Sequence, residues 1–460
     1  MNAPEVKVIK MYAPREEIYP REAKGRYATI RWLCVWATQL AFYGLPWLVW
    51  NDRQALLFDL GARKFYIFGL VLWPQDFIYL AALLIICAYL LFLATAIAGR
   101  VWCGFSCPQT VYTEIFLWIE RKIEGPRSAR MALDKQGPSL KKFTKKTSKH
   151  LIWGAVALWT GFTFVGYFTP IKTLVTAVQT LDFGPWEWFW VLFYSFATYG
   201  NAGWLREQVC KYMCPYARFQ SSMFDRDSLI ITYDAKRGEP RAPLGKNPDS
   251  GSCIDCSLCV QVCPTGIDIR NGLQYECIGC AACVDACNTV MDKIKQPRGL
   301  IRYSTEMAME KGYDSAQIRK RTLRPRVLIY TSILGLIVAA VCLTLYVRTP
   351  LKVDVIRDRG SMGREVEDGM IENVYRLQVM NTTEQAHTFR IKVSGMDTLT
   401  LTTAEEVTLQ ATETRAVPIR MRAAHGAGVK GSNKIQVEVT AVDDPSLHVR
   451  ENAVFIVPRR

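Results

Sequence analysis

Five stretches of the chain, near 30–50, 77–98, 151–169, 186–204 and 327–347, are apolar on all sides. A bilayer asks for about 20 consecutive apolar residues, so each stretch reads as a membrane-spanning helix. Glu187, Asn201 and several glycines interrupt the fourth, which makes it the weakest of the five. Past the fifth the pattern turns to alternation: Tyr375, Leu377, Val379; Phe389, Ile391, Val393; Leu399, Leu401; Val407, Leu409; Val417, Ile419, Met421; Ile435, Val437, Val439; and Val454 to Val457. Short runs at period two with turn residues between them predict about seven strands and an immunoglobulin-like β-sandwich. The chain divides into a polar tail (1–28), a four-span membrane domain (29–220), a soluble insert (221–326), a fifth transmembrane helix (327–347) and the sandwich domain (348–460). Residues 1–28 are polar and basic and the first apolar stretch is long enough to span, so no cleavable leader is expected before it.

Charge orients these elements. The net charge is +15, but the basic residues gather at span ends, for example Lys141, Lys142, Lys145 and Lys146, and Arg319, Lys320, Arg321, Arg324 and Arg326. The positive-inside rule places the N-terminus and the insert in the cytoplasm and everything after 348 in the periplasm of a bacterial inner membrane. Segment 51–76 balances Arg53, Arg63 and Lys64 against Asp52, Asp59 and Asp76 and reads as a periplasmic connector. Membrane lipid is thus the partner that explains the basic excess, and nucleic acid is not expected.

The chemistry lies in the cysteines. Cys253-x-x-Cys256-x-x-Cys259-x-x-x-Cys263-Pro264 and Cys277-x-x-Cys280-x-x-Cys283-x-x-x-Cys287 have the spacing of a two-cluster bacterial ferredoxin, in which the fourth Cys of each run serves the other cluster. One 4Fe–4S cluster then takes Cys253, Cys256, Cys259 and Cys287, the other Cys277, Cys280, Cys283 and Cys263. Structural zinc pairs two short hooks and fits these runs less well. Asn288 follows Cys287 where the usual pattern has proline, which removes a turn-fixing residue but no ligand. Gly266 and Gly279 suit tight bends around a cluster.

Each membrane half also ends in a Cys-x-x-x-Cys-Pro motif: Cys103, Cys107 and Pro108 after the second span, Cys210, Cys214 and Pro215 after the fourth. Residues four apart share a helix face, and proline after the second Cys marks a helix start whose amides favour thiolate. Soft-metal ligation or redox chemistry explains the repeat better than small buried hydrophobes do. Cys34, Cys87 and Cys342 stand alone inside spans and read as packing, while His387, His425 and His448 read as surface residues of a sandwich without a catalytic set.

This combination of spans, Cys-x-x-x-Cys-Pro pairs, ferredoxin insert and terminal sandwich resembles the FixG/RdxA/CcoG-type cytochrome c oxidase accessory proteins over nearly the whole chain. The resemblance implies a role in assembly of the cbb3-type oxidase, with Cu(II) reduced to Cu(I) for copper loading. Thiolates select Cu(I), so Cys103, Cys107, Cys210 and Cys214 are assigned to copper as substrate or bound ion, with Met213 as a thioether helper. Partners on this reading are oxidase subunits or copper chaperones and a cytoplasmic electron donor that leaves no signature. The sandwich reads as a docking module, and a homodimer stays open.

Two other classes compete. A quinol-linked subunit could feed a periplasmic reductase, although four His residues, only His150 among them near a span, rule out a bis-His membrane haem. An iron–sulfur sensor or scaffold would keep the clusters and the docking without the chemistry.

Overall fold

The computed structural model describes residues 17–244, 249–358, 360 and 363–458; the expectation for the tail over 1–16 lies outside them. In chain order the elements are α1 (Arg26–Gly44), five short strands β1 (Val49–Trp50), β2 (Arg53–Gln54), β3 (Leu56–Asp59), β4 (Lys64–Ile67) and β5 (Leu70–Leu72), then α2 (Phe77–Ala98), α3 (Val101–Phe105), α4 (Pro108–Glu124), α5 (Arg127–Lys135), α6 (Leu140–Val165), α7 (Ile171–Thr180) and α8 (Pro185–Thr198). Two π-helical segments, Tyr199–Leu205 and Val209–Met213, lead into α9 (Pro215–Met223). Next come β6 (Ile230–Tyr233), α10 (Ala235–Gly238), α11 (Leu258–Gln261), α12 (Ala282–Lys293), β7 (Ile301–Ser304), α13 (Glu306–Lys311), α14 (Ser315–Thr322) and α15 (Pro325–Tyr346). Two compact units share the chain, one built from residues before Val49 and from Ala82–Ile337, the other from Val49–Ala81 and Val338 onward.

Among the described residues two helices, Pro74–Ala98 and Pro325–Tyr346, are long and apolar enough to cross a membrane, which corrects the expectation of about five spans. The other three stretches are helical but fail for physical reasons. Helix α1 carries Arg26 and Arg31 and stops at Gly44; α6 spends its first turns on Lys141, Lys142, Lys145, Lys146 and Lys149; α8 passes into π-helix after 14 residues.

In the first unit Phe116, Ile119, Trp153, Ala157 and Ala202 form the helical core, and the Trp153 indole donates to the Phe116 carbonyl at 3.1 Å. The cysteine-rich insert is bracketed by antiparallel β6 and β7, Ile230 opposite Ser304. It is held to the N-terminal segment because Asp285 of α12 accepts the amides of Tyr27 and Ala28 at 3.2 and 2.7 Å, satisfying the orphan donors at the start of α1.

The second unit is a sandwich of strands β8 (Leu351–Arg357), β9 (Arg364–Glu365), β10 (Ile371–Asn381), β11 (His387–Ser394), β12 (Thr400–Leu401), β13 (Glu406–Leu409), β14 (Thr414–Ala423), β15 (Gly431–Ala441) and β16 (His448–Val457). One sheet runs β12-β14-β10-β8 with β9 on β10, the other β13-β11-β15-β16. All seven expected strands are present, with β8 and β9 in addition. Inward positions Tyr375, Leu377, Val379, Phe389, Ile391, Val437 and Phe455 are buried between the sheets. His387 is buried too, not on the surface, because its Nδ1 meets Asp443 at 2.6 Å. Segment 51–76 is likewise no plain connector: Leu57, Tyr66, Val71 and Trp73 pack on Met380, Arg53 pairs with Glu384 at 2.7 Å, and Asp76 pairs with Arg348 at 2.7 Å and with Lys352.

Candidate functional site

Thiols line two enclosed cavities of the insert. One gathers Cys263, Cys277, Cys280 and Cys283 among Ile231, Ile267, Ile269 and Ile278, with Cys259 also at its wall. The other gathers Cys253, Cys256, Cys259 and Cys287 beside Tyr233, Leu300, Ile301 and Arg270. Each draws three thiols from one run and a fourth from the other.

The two runs repeat one backbone pattern. Asp255 and Ser257 are left-handed (φ 50° and 55°), and so are their counterparts Gly279 and Ala281 (φ 67° and 57°). Holding a non-glycine residue there costs on the order of 1–3 kcal/mol, and such turns aim successive amides inward as an anion-binding nest. Gly266 is left-handed as well, at φ 73°. The first run ends at Cys263-Pro264, whereas Asn288 lets α12 continue past Cys287, its side chain accepting the Gly299 amide at 3.0 Å. Burial pushes the thiols of Cys277 and Cys287 up to about 12 and that of Cys259 up to about 11, and raises Cys283 well above the ordinary range. Apolar walls that oppose bare thiolates, with inward amides, fit a metal–sulfide cluster whose iron supplies the compensating charge.

A second thiol group forms beside the first cavity. Cys107 and Cys214 are the N-caps of α4 and α9, extended because Pro108 and Pro215 follow at the first helical position. Cys103 lies on α3 and Cys210 in the Val209–Met213 π-segment. All four come within electrostatic reach of one another: Cys103 is influenced by Cys107, Cys210 and Cys214, and Cys210 by Cys107 and Cys214. Cys103 and Cys210 pack against a core that contains Val262, Ile278 and Cys280. Burial pushes Cys103 to about 12 and Cys210 to about 11. It also raises Cys107, outweighing the Gln109 and Thr110 amides at the helix start, so the expected thiolate bias from capping is overturned by desolvation. Among the described residues no three His, Cys, Asp or Glu side chains close around a single bare ion. Met213 is 59% exposed and adds no buried thioether. Cys87 and Cys342 are exposed on α2 and α15, not packed as expected; Cys34 is half-buried.

Three residues escaped the sequence reading. Arg100, 5% exposed, donates to the Ala217 carbonyl, and its charge pulls Cys103, Cys210 and Cys277 downward against burial. A cation closing an apolar span three residues before a Cys was the available signal. Gln220 accepts from the Cys103 thiol at 3.4 Å. Gly104 lets the Cys277–Cys280 turn approach α3: a Cβ on it would stand 2.7 Å from the Gly279 carbonyl oxygen.

Two thiol-lined cavities in a duplicated fold, with an immunoglobulin-like domain behind an apolar helix, define an iron–sulfur electron-transfer protein of the membrane. The comparisons agree: residues 205–306 match the 4Fe-4S dicluster domain family, 80–126 a 4Fe-4S binding domain, and 341–458 the IG-like fold at the C-terminus of FixG. The nitrogen fixation protein FixG of Rhizobium meliloti is 36% identical over 434 residues, covering 86% of this chain and 83% of that protein. Proteins RdxB and RdxA of Cereibacter sphaeroides are each 37% identical, RdxB over 96% of both chains and RdxA over 84% of both. A solved structure of a FixG-related protein from Vibrio parahaemolyticus is 24% identical, with a TM-score of 0.22, and covers 24% of this chain and 96% of that one. The chain belongs to the FixG/RdxA family.

Proposed function

We propose that the protein reduces Cu(II) to Cu(I) for copper loading of a cbb3-type cytochrome c oxidase. The observation that carries this reading is the convergence of Cys103, Cys107, Cys210 and Cys214 beside the Cys263, Cys277, Cys280 and Cys283 cavity. Cys253, Cys256, Cys259 and Cys287 would hold one 4Fe–4S cluster and Cys263, Cys277, Cys280 and Cys283 the second; when bound, such clusters supply electrons one at a time. Copper is the substrate. Each Cu(II) gains one electron, and because thiolate is a soft donor that favours Cu(I), the four membrane thiols pull the reduction forward. Burial raises the Cys103, Cys107 and Cys210 thiols, so copper capture there releases protons to solvent, and Arg100 lowers the cost of forming thiolate at Cys103 and Cys210. Gln220 orients the Cys103 thiol.

Connectivity supports the orientation. Segment 49–76 shares a unit with the sandwich, and the chain leaves that unit through α2 and returns through α15. On this reading α2 and α15 cross the inner membrane, the cluster-bearing insert faces the cytoplasm, and the sandwich meets oxidase subunits or copper chaperones in the periplasm. Anaerobic mixing of reduced, reductant-free protein with Cu(II), trapping Cu(I) with a chelating dye, tests the proposal. Cluster oxidation should match Cu(I) formation and vanish when Cys103, Cys107, Cys210 and Cys214 are changed to Ser.

A second reading has one observation in its favour. An apolar groove of about 1020 Å³ between α1, α4 and α6 is walled by Trp32, Trp36, Trp118 and Trp159, with Tyr43 and Gln39 inside, and among the described residues the Gln39 carbonyl oxygen has no partner. Clusters that stay reduced with Cu(II) yet oxidise with a quinone analogue would replace copper reduction by quinone-linked transfer.

A further inference from the structure

A different cavity, of about 620 Å³, opens on the opposite wall of the thiol cavity that holds Cys253, Cys256, Cys259 and Cys287. Leu258 and Val290 line both spaces, so one layer of side chain separates them. The rim is cationic: Arg21, Lys24, Lys122, Arg127 and Lys293 surround it, and among the described residues none of these five forms an ion pair with a carboxylate. Glu22 is the single acid in the lining. Trp118, 44% exposed, offers an aromatic face at the mouth, and Lys122 lies 5.9 Å from its ring.

The cavity is built, not incidental. The Arg21 amide donates to the Gln261 carbonyl at 2.8 Å, the Arg127 Nε donates to the Tyr19 carbonyl at 2.9 Å, and the Tyr19 hydroxyl donates to Asp134 at 2.9 Å, fixing the N-terminal segment across α5 and the insert. Five cations without a carboxylate partner attract a polyanion such as a phosphate monoester, and a volume of this size accepts a molecule of a few hundred daltons. The apolar floor and Trp118 suit a flat ring system above the anion site.

We propose that this cavity is the electron entry port of the protein and binds a phosphate-bearing flavin, flavin mononucleotide being the simplest. This rests on the assignment of Cys253, Cys256, Cys259 and Cys287 to a cluster. A hydride donor passes two electrons together and cannot reduce a one-electron centre directly, whereas a reduced flavin can release its electrons singly. The balance is one reduced flavin oxidised, one electron to each of the two clusters, and two protons released to solvent. The phosphate meets Lys24 and Lys122, and the ring lies on Leu258 and Val290.

The test uses the full-length, cluster-loaded protein in detergent under anaerobic conditions. Quenching of oxidised-flavin fluorescence reads binding, and stopped-flow mixing of pre-reduced flavin mononucleotide with the oxidised clusters, followed by bleaching of cluster absorbance, reads reduction. Flavin mononucleotide should bind at least about tenfold more tightly than riboflavin, the equivalent of one charge-assisted contact, and weaken with salt. The exposed pair Lys24→Gln and Lys122→Gln should weaken flavin mononucleotide by about tenfold while riboflavin binding stays unchanged. Arg127 is left intact because it anchors Tyr19. Reduction of the same clusters by dithionite in both proteins separates loss of the port from loss of the clusters. Equal binding of the two flavins, or binding of flavin mononucleotide without bleaching, overturns the proposal. So does its displacement by phosphatidylglycerol vesicles with no effect of those vesicles on the rate of reduction, which would make the cavity a lipid headgroup site.

Discussion

Replacing Gly104 by Ala probes whether the approach of α3 to the insert governs electron passage. A Cβ at 104 would stand 2.7 Å from the Gly279 carbonyl oxygen and 2.9 Å from the Cys280 Cα, where ordinary contact begins at 3.4 Å. Both neighbours are backbone, and Gly279 is held by the Tyr303 hydroxyl, so no side-chain rotation relieves the clash. Overpacking of this kind costs about 1–3 kcal/mol, met by drawing α3 and the Cys277–Cys280 turn apart. Because displacement of reacting groups by about 1 Å can cost about 100-fold in rate, Gly104→Ala should slow anaerobic Cu(I) formation by roughly 10- to 100-fold with iron content unchanged. Gly137→Ala, at a site with nothing within 4 Å, is the control and should behave as the parent. A Gly104→Ala protein with full cluster absorbance and the parental rate would refute the claim that this contact sets the transfer.

Other outcomes follow from the same geometry. Iron analysis should give about eight atoms per chain; about twelve, falling to about eight when Cys103, Cys107, Cys210 and Cys214 become Ser, would mean that these four thiols hold a third cluster instead of copper. Arg100→Gln removes the charge that pulls Cys103 and Cys210 down, so half-maximal Cu(I) capture should move to higher pH and the rate at neutral pH should fall. In the sandwich, burial alone would raise Glu372, but Arg422 at 2.8 Å and Arg364 at 2.5 Å outweigh it and hold the carboxyl below its ordinary value of 4.5. That stability is present above about pH 4.5 and is lost as pH falls through the depressed value. Glu372→Gln should therefore unfold more easily at neutral pH, by roughly 1 kcal/mol given the half-exposed Arg364, and match the parent in acid, which denaturant titration at the two pH values will show.

Much of this was legible because spacing alone carries it. The eight ferredoxin cysteines and the two Cys-x-x-x-Cys-Pro motifs stand at fixed intervals, and the strands of the sandwich alternate cleanly, so local pattern and tertiary placement coincide. The spans were read too generously, since an apolar window does not register that α1 carries Arg31 or that α8 unwinds into a π-helix after Thr198. Strand β8 follows the last span so closely that its Leu351, Val353 and Val355 alternation merged with it. Arg100, Gln220 and the packing of Met380 on Trp73 depend on residues far apart in the chain, and no local rule reaches them. The capping argument for Cys107 failed because a one-dimensional motif shows the helix start but not the burial around it.

The link between Asp285 and the first amides of α1 has a consequence for biogenesis. Its acceptor arrives 257 residues after Ala28, so α1 leaves the ribosome long before its end can be capped. Asp285 stands between Cys283 and Cys287, which line the two thiol cavities, so the segment that caps α1 is the one that carries these thiols. The capping of α1 thereby reports on the fold of the cysteine-rich insert: a chain whose insert is unfolded leaves the Tyr27 and Ala28 amides without this acceptor.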